Sequence, residues 1–348
     1  MLKKRLIALA AALGLLTAGL AGCSNGSTTT GADGDKKLQI VTAFYPLQFA
    51  SEQVAGERGE VSTLTAPGAE PHDLELTPKQ IASLSGADIV VYQRGFQSAV
   101  DAAVDQAKPK VVIDVANVVT LHALADHADE HADHDHASAH PSEGASHDDH
   151  DHASESPSEH ASEEAGHDHD HDHVGGMDPH AWLDPTNMVK ITTAIQAKLA
   201  EVDASHAAGY TKNLDRINGE LTALDESYTK GLAKCQRTEF ITTHSAFGYL
   251  AERYKLTQIG ISGVSPDDEP SPARIAEIHK LVAEHGITTV FFETIASPKV
   301  AQAIAGDLNL ATDVLDPLEG ITPQSRGNDY IAVMKSNLDA LKKANACS

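Results

Sequence analysis

The chain reads as an α/β protein of two lobes, each with a parallel sheet flanked by helices, joined by one long α-helix. Three observations predict this. Short β-rich runs alternate with helix-like segments, the pattern of parallel α/β units. Val111, Val112 and Ile113 are apolar at consecutive positions, as expected of a strand covered on both faces. Between two such stretches runs a single long pattern of apolar residues spaced three and four apart.

In chain order, the first segment is a leader. Met1 to Arg5 is a short basic head, and Leu6 to Leu20 is an apolar run too short to span a bilayer and followed by small residues. It ends in Leu20-Ala21-Gly22-Cys23, the form of a bacterial lipobox, so cleavage after residue 22 would leave Cys23 as the lipidated first residue. The Ser/Thr/Gly/Asp stretch within residues 23–37 suits a flexible tether.

A first lobe is expected over 38–202, with strands at Leu38-Thr42, Val61-Ala66, Asp88-Tyr92 and Lys110-Val115. Helices are expected near Ala50-Val54, Thr77-Leu84 and Phe96-Gln106. From Asp203 the pattern changes: Ala207, Tyr210, Leu214, Ile217, Leu221, Leu224, Tyr228 and Leu232 predict an amphipathic linking helix over 203–233, capped by Asp203 or Ser205, with a break at Gly219 as the alternative. At 1.5 Å per residue it would cross about 40 Å. A second lobe follows over 234–348. Its expected strands are Glu239-Thr243, Thr257-Ile261, Thr288-Glu293 and Thr312-Leu315, with helices at Ser245-Tyr254, Pro272-His285, Pro298-Gly306 and Asp329-Ala344.

Inserted in the first lobe is a tract from His122 to His173 with fourteen histidines, sixteen Asp or Glu and no Lys or Arg. Imidazole is the side chain most used to ligate zinc, copper and nickel, so the tract marks a protein that handles a transition metal. Its runs contain His134, His136, His150, His152, His167, His169, His171 and His173, which are expected to form weaker, multiple metal sites. The segment is highly charged and poor in aromatics, so it should be disordered without metal. It contributes −16 of the formal net charge of −24, and removing the basic head leaves the body at −11. An acidic surface disfavours nucleic acid as a partner.

Setting Cys23 aside leaves Cys235 and Cys347, an even number for an oxidising compartment, which predicts a disulfide tying the C-terminal tail to the body.

Six histidines lie outside the tract: His72, His180, His206, His244, His279 and His285. His72, in Pro71-His72-Asp73, His180, in Asp178-Pro-His-Ala-Trp-Leu-Asp184, and His244, closing Phe240-Ile-Thr-Thr-His244, each sit just beyond a strand or at a helix start. Ligands in open α/β sheets bind at the carboxyl ends of strands. His206, His279 and His285 lie on helices among charged residues and read as surface positions.

These motifs, with the lipobox, Thr243-His-Ser-Ala-Phe-Gly-Tyr249 and Phe291-Phe-Glu-Thr-Ile-Ala-Ser-Pro-Lys299, together resemble the metal-binding proteins of bacterial zinc and manganese ABC importers. The resemblance covers essentially the whole mature chain. It implies a two-lobed receptor that binds one metal between its lobes, outside the cell membrane and lipid-anchored to it, and that delivers the metal to a permease and ATPase; we expect a monomer. Carried over residue by residue, it makes His72, His180 and His244 metal ligands with Glu293 as the fourth, Glu70 or a water being the competitors for that place. Three imidazoles and one carboxylate suit tetrahedral Zn²⁺. Manganese prefers harder, oxygen-rich sets, and manganese members usually carry a carboxylate where this chain has His244, which favours Zn²⁺ as cargo. Asp73, Asp178 and Asp184 are near enough in sequence to orient the rings, and Trp182 should pack between site and core.

Two other functions compete. No HExxH, Cys-x-x-Cys, GxSxG or Walker-type loop occurs outside or inside the tract, so an enzyme is not expected. A surface zinc buffer or adhesin would make the tract the active part and the lobes its display.

Overall fold

The structure, a computed structural model, describes residues 36–123 and 176–348. The leader, Cys23 and the tract residues His134, His136, His150, His152, His167, His169, His171 and His173 lie outside the described residues.

The first lobe runs β1 (Leu38–Thr42), α1 (Tyr45–Ala55), β2 (Gly59–Thr63), α2 (Pro78–Gly86), β3 (Ile89–Tyr92), α3 (Ser98–Ala107) and β4 (Val112–Asp114). Its strands pair in parallel in the order β2-β1-β3-β4. Ile89-Val90-Val91-Tyr92 is buried at all four positions because helices cover both faces, which is why the run is continuously apolar. α2 starts where Thr77 and Gln80 form a reciprocal capping box around Pro78. β2 ends earlier than expected, at Thr63, because the chain leaves the sheet there to form the loop that carries His72.

His122–Ala123 (β5) pairs antiparallel with Met177–Asp178 (β6), so the two feet of the insertion meet in a short ladder. Next comes a helix that the sequence reading lacked, α4 (Pro185–Val202). Its signal was present: Asp184 caps it by accepting from the Thr186 backbone N–H, Pro185 opens its first turn, and Met188, Ile191, Ile195 and Leu199 are buried along one stripe.

α5 (Ala207–Gly231) is the long linking helix, 25 residues and unbroken at Gly219. Tyr210, Ile217, Leu221, Leu224 and Tyr228 form its buried stripe. Asp203 and Ser205 do not cap its backbone. The Asp203 carboxylate instead accepts from the His206 ring at 2.8 Å and from the Tyr210 hydroxyl at 2.7 Å.

The second lobe runs β7 (Glu239–Thr242), α6 (Gly248–Tyr254), β8 (Thr257–Gly260), α7 (Pro272–His285), β9 (Thr289–Phe292), α8 (Lys299–Leu308), β10 (Ala311–Val314) and α9 (Tyr330–Ala344). Its sheet is also parallel, in the order β10-β9-β7-β8. Successive strand residues face opposite sides. Phe240 and Phe291 therefore join the main core with α5 and α9, while Ile241 and Val290 build a second core with Ile278 of α7 and Ile304 of α8. Among the described residues no helix is long and apolar enough to cross a membrane.

Cys235 and Cys347 are joined in a disulfide across 112 residues of sequence. In the chain-entropy account a loop of this size stabilises by about 4–5 kcal/mol, and measured native bridges cluster at roughly 2–5 kcal/mol. The double replacement Cys235→Ala, Cys347→Ala is thus expected to lower unfolding stability by about 2–5 kcal/mol. Urea denaturation of metal-free protein reads this out, and a midpoint equal to that of the parent contradicts it.

Candidate metal centre

Both larger sheets are parallel, so the carboxyl ends of their strands present loops on one side each, and three of these loops, with the turn after the short antiparallel β5–β6 ladder, supply the centre. His72 comes from the loop after β2, His180 from the 3₁₀ turn after β6, His244 from the residue pair after β7, and Glu319 from the loop after β10. One ligand-type atom from each lies within 4.8 Å of every other. His180 and Glu319 are wholly buried, His244 nearly so, and His72 partly.

Glu319 is the hub. Its Oε1 lies 3.2 Å from His72 Nε2, 3.1 Å from His180 Nε2 and 3.2 Å from His244 Nε2. A tetrahedral zinc with bonds of about 2.05 Å has ligand–ligand edges of roughly 3.3 Å, so these spacings already approximate one. The Oε2 atoms of Glu319 and of Glu293 behind His244 are both buried without a hydrogen-bond partner, so the centre holds two carboxylates only half satisfied by the protein.

Several contacts explain why the loops converge. Gln93 Nε2 donates to the carbonyl of Pro179 at 2.6 Å, and Gln97 Nε2 donates to that of Pro71 at 3.0 Å. Two buried amides between β3 and α3 thereby pin both Pro-His turns. Trp182 fills the expected place behind the centre, with its ring 5.2 Å from that of His180. Its Nε1–H donates to the Pro317 carbonyl at 2.7 Å, which ties the His180 turn to the Glu319 loop. That loop is further held where Asp316 accepts from the Leu318 backbone and from the hydroxyls of Thr294 and Ser325. Leu318, next to Glu319, sits at φ 61, a left-handed conformation that costs a non-glycine residue roughly 1 kcal/mol or more.

Two of the imidazoles are anchored from behind. His180 Nδ1 donates to Asp178 Oδ1 at 2.8 Å, and His244 Nδ1 to Glu293 Oε1 at 2.5 Å, with the Thr243 hydroxyl also on Glu293. Donation from Nδ1 obliges a neutral ring to present its Nε2 lone pair to the centre. Asp184 caps α4 instead, and Asp73 is exposed, so of the three expected orienting aspartates Asp178 alone touches a ring of the group.

The expectation for the fourth place needs correction. Glu293 is not in the four-residue group: it meets the far nitrogen of His244, because it directly follows β9, which lies beside β7, and so stands behind that ring rather than in front of it. Glu70 is outside the group as well. Its Oε1 accepts from the His72 backbone N–H at 2.9 Å. The residue missed is Glu319. Its signal was a pair of carboxylates, Asp316 and Glu319, embedded in the otherwise apolar Leu315-Asp-Pro-Leu-Glu-Gly320 directly after an expected strand.

The electrostatics follow from this packing. Burial alone would lower the His180 and His244 imidazoles. The carboxylates of Asp178 and Glu319 overcome it at His180 and hold that ring above its ordinary value, while Glu293 and Glu319 hold His244 well above. Burial dominates at His72 and keeps it low. Burial would raise Glu319, but the three imidazoles, His244 foremost, pull it well below the usual carboxylate range. Burial, then the Glu319 charge, push Glu70 up to about 8.

Comparison with known proteins bears on the family and the fold. The family described as ZnuA, zinc-uptake complex component A periplasmic, matches residues 40–344. The chain is 36% identical over 328 residues to the high-affinity zinc uptake system protein ZnuA of Bacillus subtilis (strain 168), covering 93% of this chain and 92% of that one. It is 35% identical over 327 residues to the zinc-binding lipoprotein AdcA of Streptococcus pneumoniae serotype 4, where it covers 93% of its own length but spans only 58% of that relative. The crystal structure of the Zn(II)-bound ZnuA-like domain of Streptococcus pneumoniae AdcA aligns with a TM-score of 0.66 and 32% identity, over 89% of this chain and 99% of that domain. With residues 40–344 matched from the first strand to the last helix, the chain belongs to the ZnuA family of zinc-uptake complex components.

Proposed function

We propose that this protein is the extracytoplasmic receptor of a zinc importer: it captures one Zn²⁺ between His72, His180, His244 and Glu319 and hands it to a membrane permease driven by an ATPase. The observation that carries this is the buried group of three Nε2 atoms around one carboxylate oxygen. Three imidazoles favour zinc over manganese, and a fully furnished set of four leaves little room for a catalytic water. The relatives' names, a zinc uptake system protein and a zinc-binding lipoprotein, support the same cargo. Lipidation of Cys23 after loss of residues 1–22, with residues 23–37 as tether, would hold a monomeric receptor at the outer face of the cell membrane, and the tract between residues 122 and 173 would supply further, weaker zinc sites.

Deleting residues 124–175 separates receptor from buffer. The shortened protein is expected to keep one tightly bound zinc and to lose the weaker equivalents, as read by elemental analysis after dialysis against a mild chelator. Loss of all zinc on that deletion would make the tract the functional part and refute the receptor.

A further inference from the structure

Asp178 is shared between the metal centre and the foot of the insertion. Its Oδ1 accepts from the His180 ring and from the His180 backbone N–H at 2.9 Å. On the sheet side it is the register partner of His122 in the β5–β6 ladder. The first turn of α6 packs on it from two directions. The Tyr249 hydroxyl donates to the Asp178 carbonyl at 2.9 Å and accepts from the His122 N–H at 2.8 Å. The Tyr249 ring also stacks on the His122 ring, with centroids 4.3 Å apart and planes at 21°. One residue earlier, a Cβ added to Gly248 would lie 2.6 Å from Asp178 Oδ2. Gly248 is not at positive φ, so a side chain added there would displace the carboxylate rather than strain the backbone. One turn on, Glu252 pairs with His122 Nδ1 at 3.0 Å. Neither Gly248 nor Tyr249 is in the metal group.

We propose that Gly248 and Tyr249 are positioning residues for zinc capture: through Asp178 they fix the ring of His180, and through His122 they tie the foot of the histidine-rich insertion to that same ligand. The inference rests on His180 being a zinc ligand. A carboxylate on Nδ1 fixes ring orientation and raises the basicity of Nε2, and losing such a partner typically costs 10–100-fold in metal affinity. The backbone carbonyl of Asp178 and its carboxylate are both set by α6, so changes on that helix reach the metal without touching it.

Gly248→Ala and Tyr249→Phe test this. In Gly248→Ala the atom that must move is the far end of the Asp178 side chain, so the fold is kept while the carboxylate turns away from His180. Zinc affinity, by equilibrium competition with a chromophoric chelator, is expected to fall roughly 10–100-fold. Tyr249→Phe keeps the ring stack and removes the bridging hydroxyl, giving a smaller loss in the same direction. The d–d spectrum of the cobalt(II)-loaded proteins should change in both, since it reports ligand geometry. In an Asp178→Asn background, Gly248→Ala should add little further loss. Parent-like affinity and cobalt spectrum in both variants, whatever happens to the thermal midpoint, would reduce Gly248 and Tyr249 to packing and overturn the proposal; a fully additive loss in the Asp178→Asn background would overturn the route through Asp178. His180→Ala is the control for the underlying reading. If it binds zinc like the parent, the ligand assignment itself fails; if it loses zinc while the α6 variants do not, only this inference falls.

Discussion

Glu319→Ala is expected to abolish tight zinc capture, with affinity falling by roughly a hundred- to a few thousand-fold, whereas Glu293→Gln should lose about 10–100-fold at most. The difference comes from which nitrogen each carboxylate faces. Glu319 is equidistant from three Nε2 atoms and is the one anion of the four-residue group. Removing a buried charged partner costs about 3–5 kcal/mol, and each 1.4 kcal/mol is tenfold in affinity. Glu293 instead accepts from His244 Nδ1, and the oxygen of a glutamine can still accept there, so the ring keeps its orientation and loses only part of its basicity. Chelator competition on the two variants and the parent gives both numbers. A larger loss in Glu293→Gln than in Glu319→Ala would reverse the assignment and restore Glu293 as the fourth ligand.

The confusion of these two glutamates marks the limit of what the sequence could reveal. Strands such as Leu38–Thr42 and helices such as Pro272–His285 are legible because apolar periodicity, caps and prolines are local signals. His72, His180 and His244 are legible for a related reason: a histidine at a strand end, outside any charged surface stripe, has few other uses. Glu293 and Glu319 both stand just past a strand of the second lobe, and local pattern does not separate them. What separates them is that β9 lies beside β7 and β10 lies one strand further out, so the Glu319 loop alone reaches across the front of the rings. The Trp182 bond to Pro317, spanning 135 residues, then holds that loop in place. Such long-range tethering leaves no period in the sequence. α4 is the opposite case, since the Asp184 cap, Pro185 and the stripe from Met188 to Leu199 are local signals of the ordinary kind.

Zinc affinity should rise steeply with pH across the neutral range, because zinc must displace protons that the centre itself holds. Before zinc binds, His180 and His244 are kept protonated above the ordinary imidazole value of 6.5 by their flanking carboxylates, while Glu319 stays ionised far below 4.5 and His72 stays neutral above its lowered value. Capture therefore releases about two protons from near pH 6.5 upward until the raised imidazoles lose theirs, a slope of up to about two decades of affinity per pH unit, approaching three once His72 also titrates at lower pH. The stability of metal-free protein follows the opposite course. Groups with raised folded values, His180 and His244, stabilise fully below their unfolded value of 6.5 and lose that contribution as pH rises through the folded values. Glu319, with a depressed value, contributes above its unfolded 4.5 and loses the contribution as pH falls through the folded value. The joint contribution of His180, His244 and Glu319 to the stability of the metal-free protein is thus largest between about 4.5 and 6.5 and fades above, while zinc binding strengthens, so the thermal shift produced by zinc widens with pH. Calorimetric titration in buffers of different ionisation enthalpy counts the protons directly. Release of no protons at neutral pH would mean that His180 and His244 are already neutral and that their carboxylate partners only orient the rings.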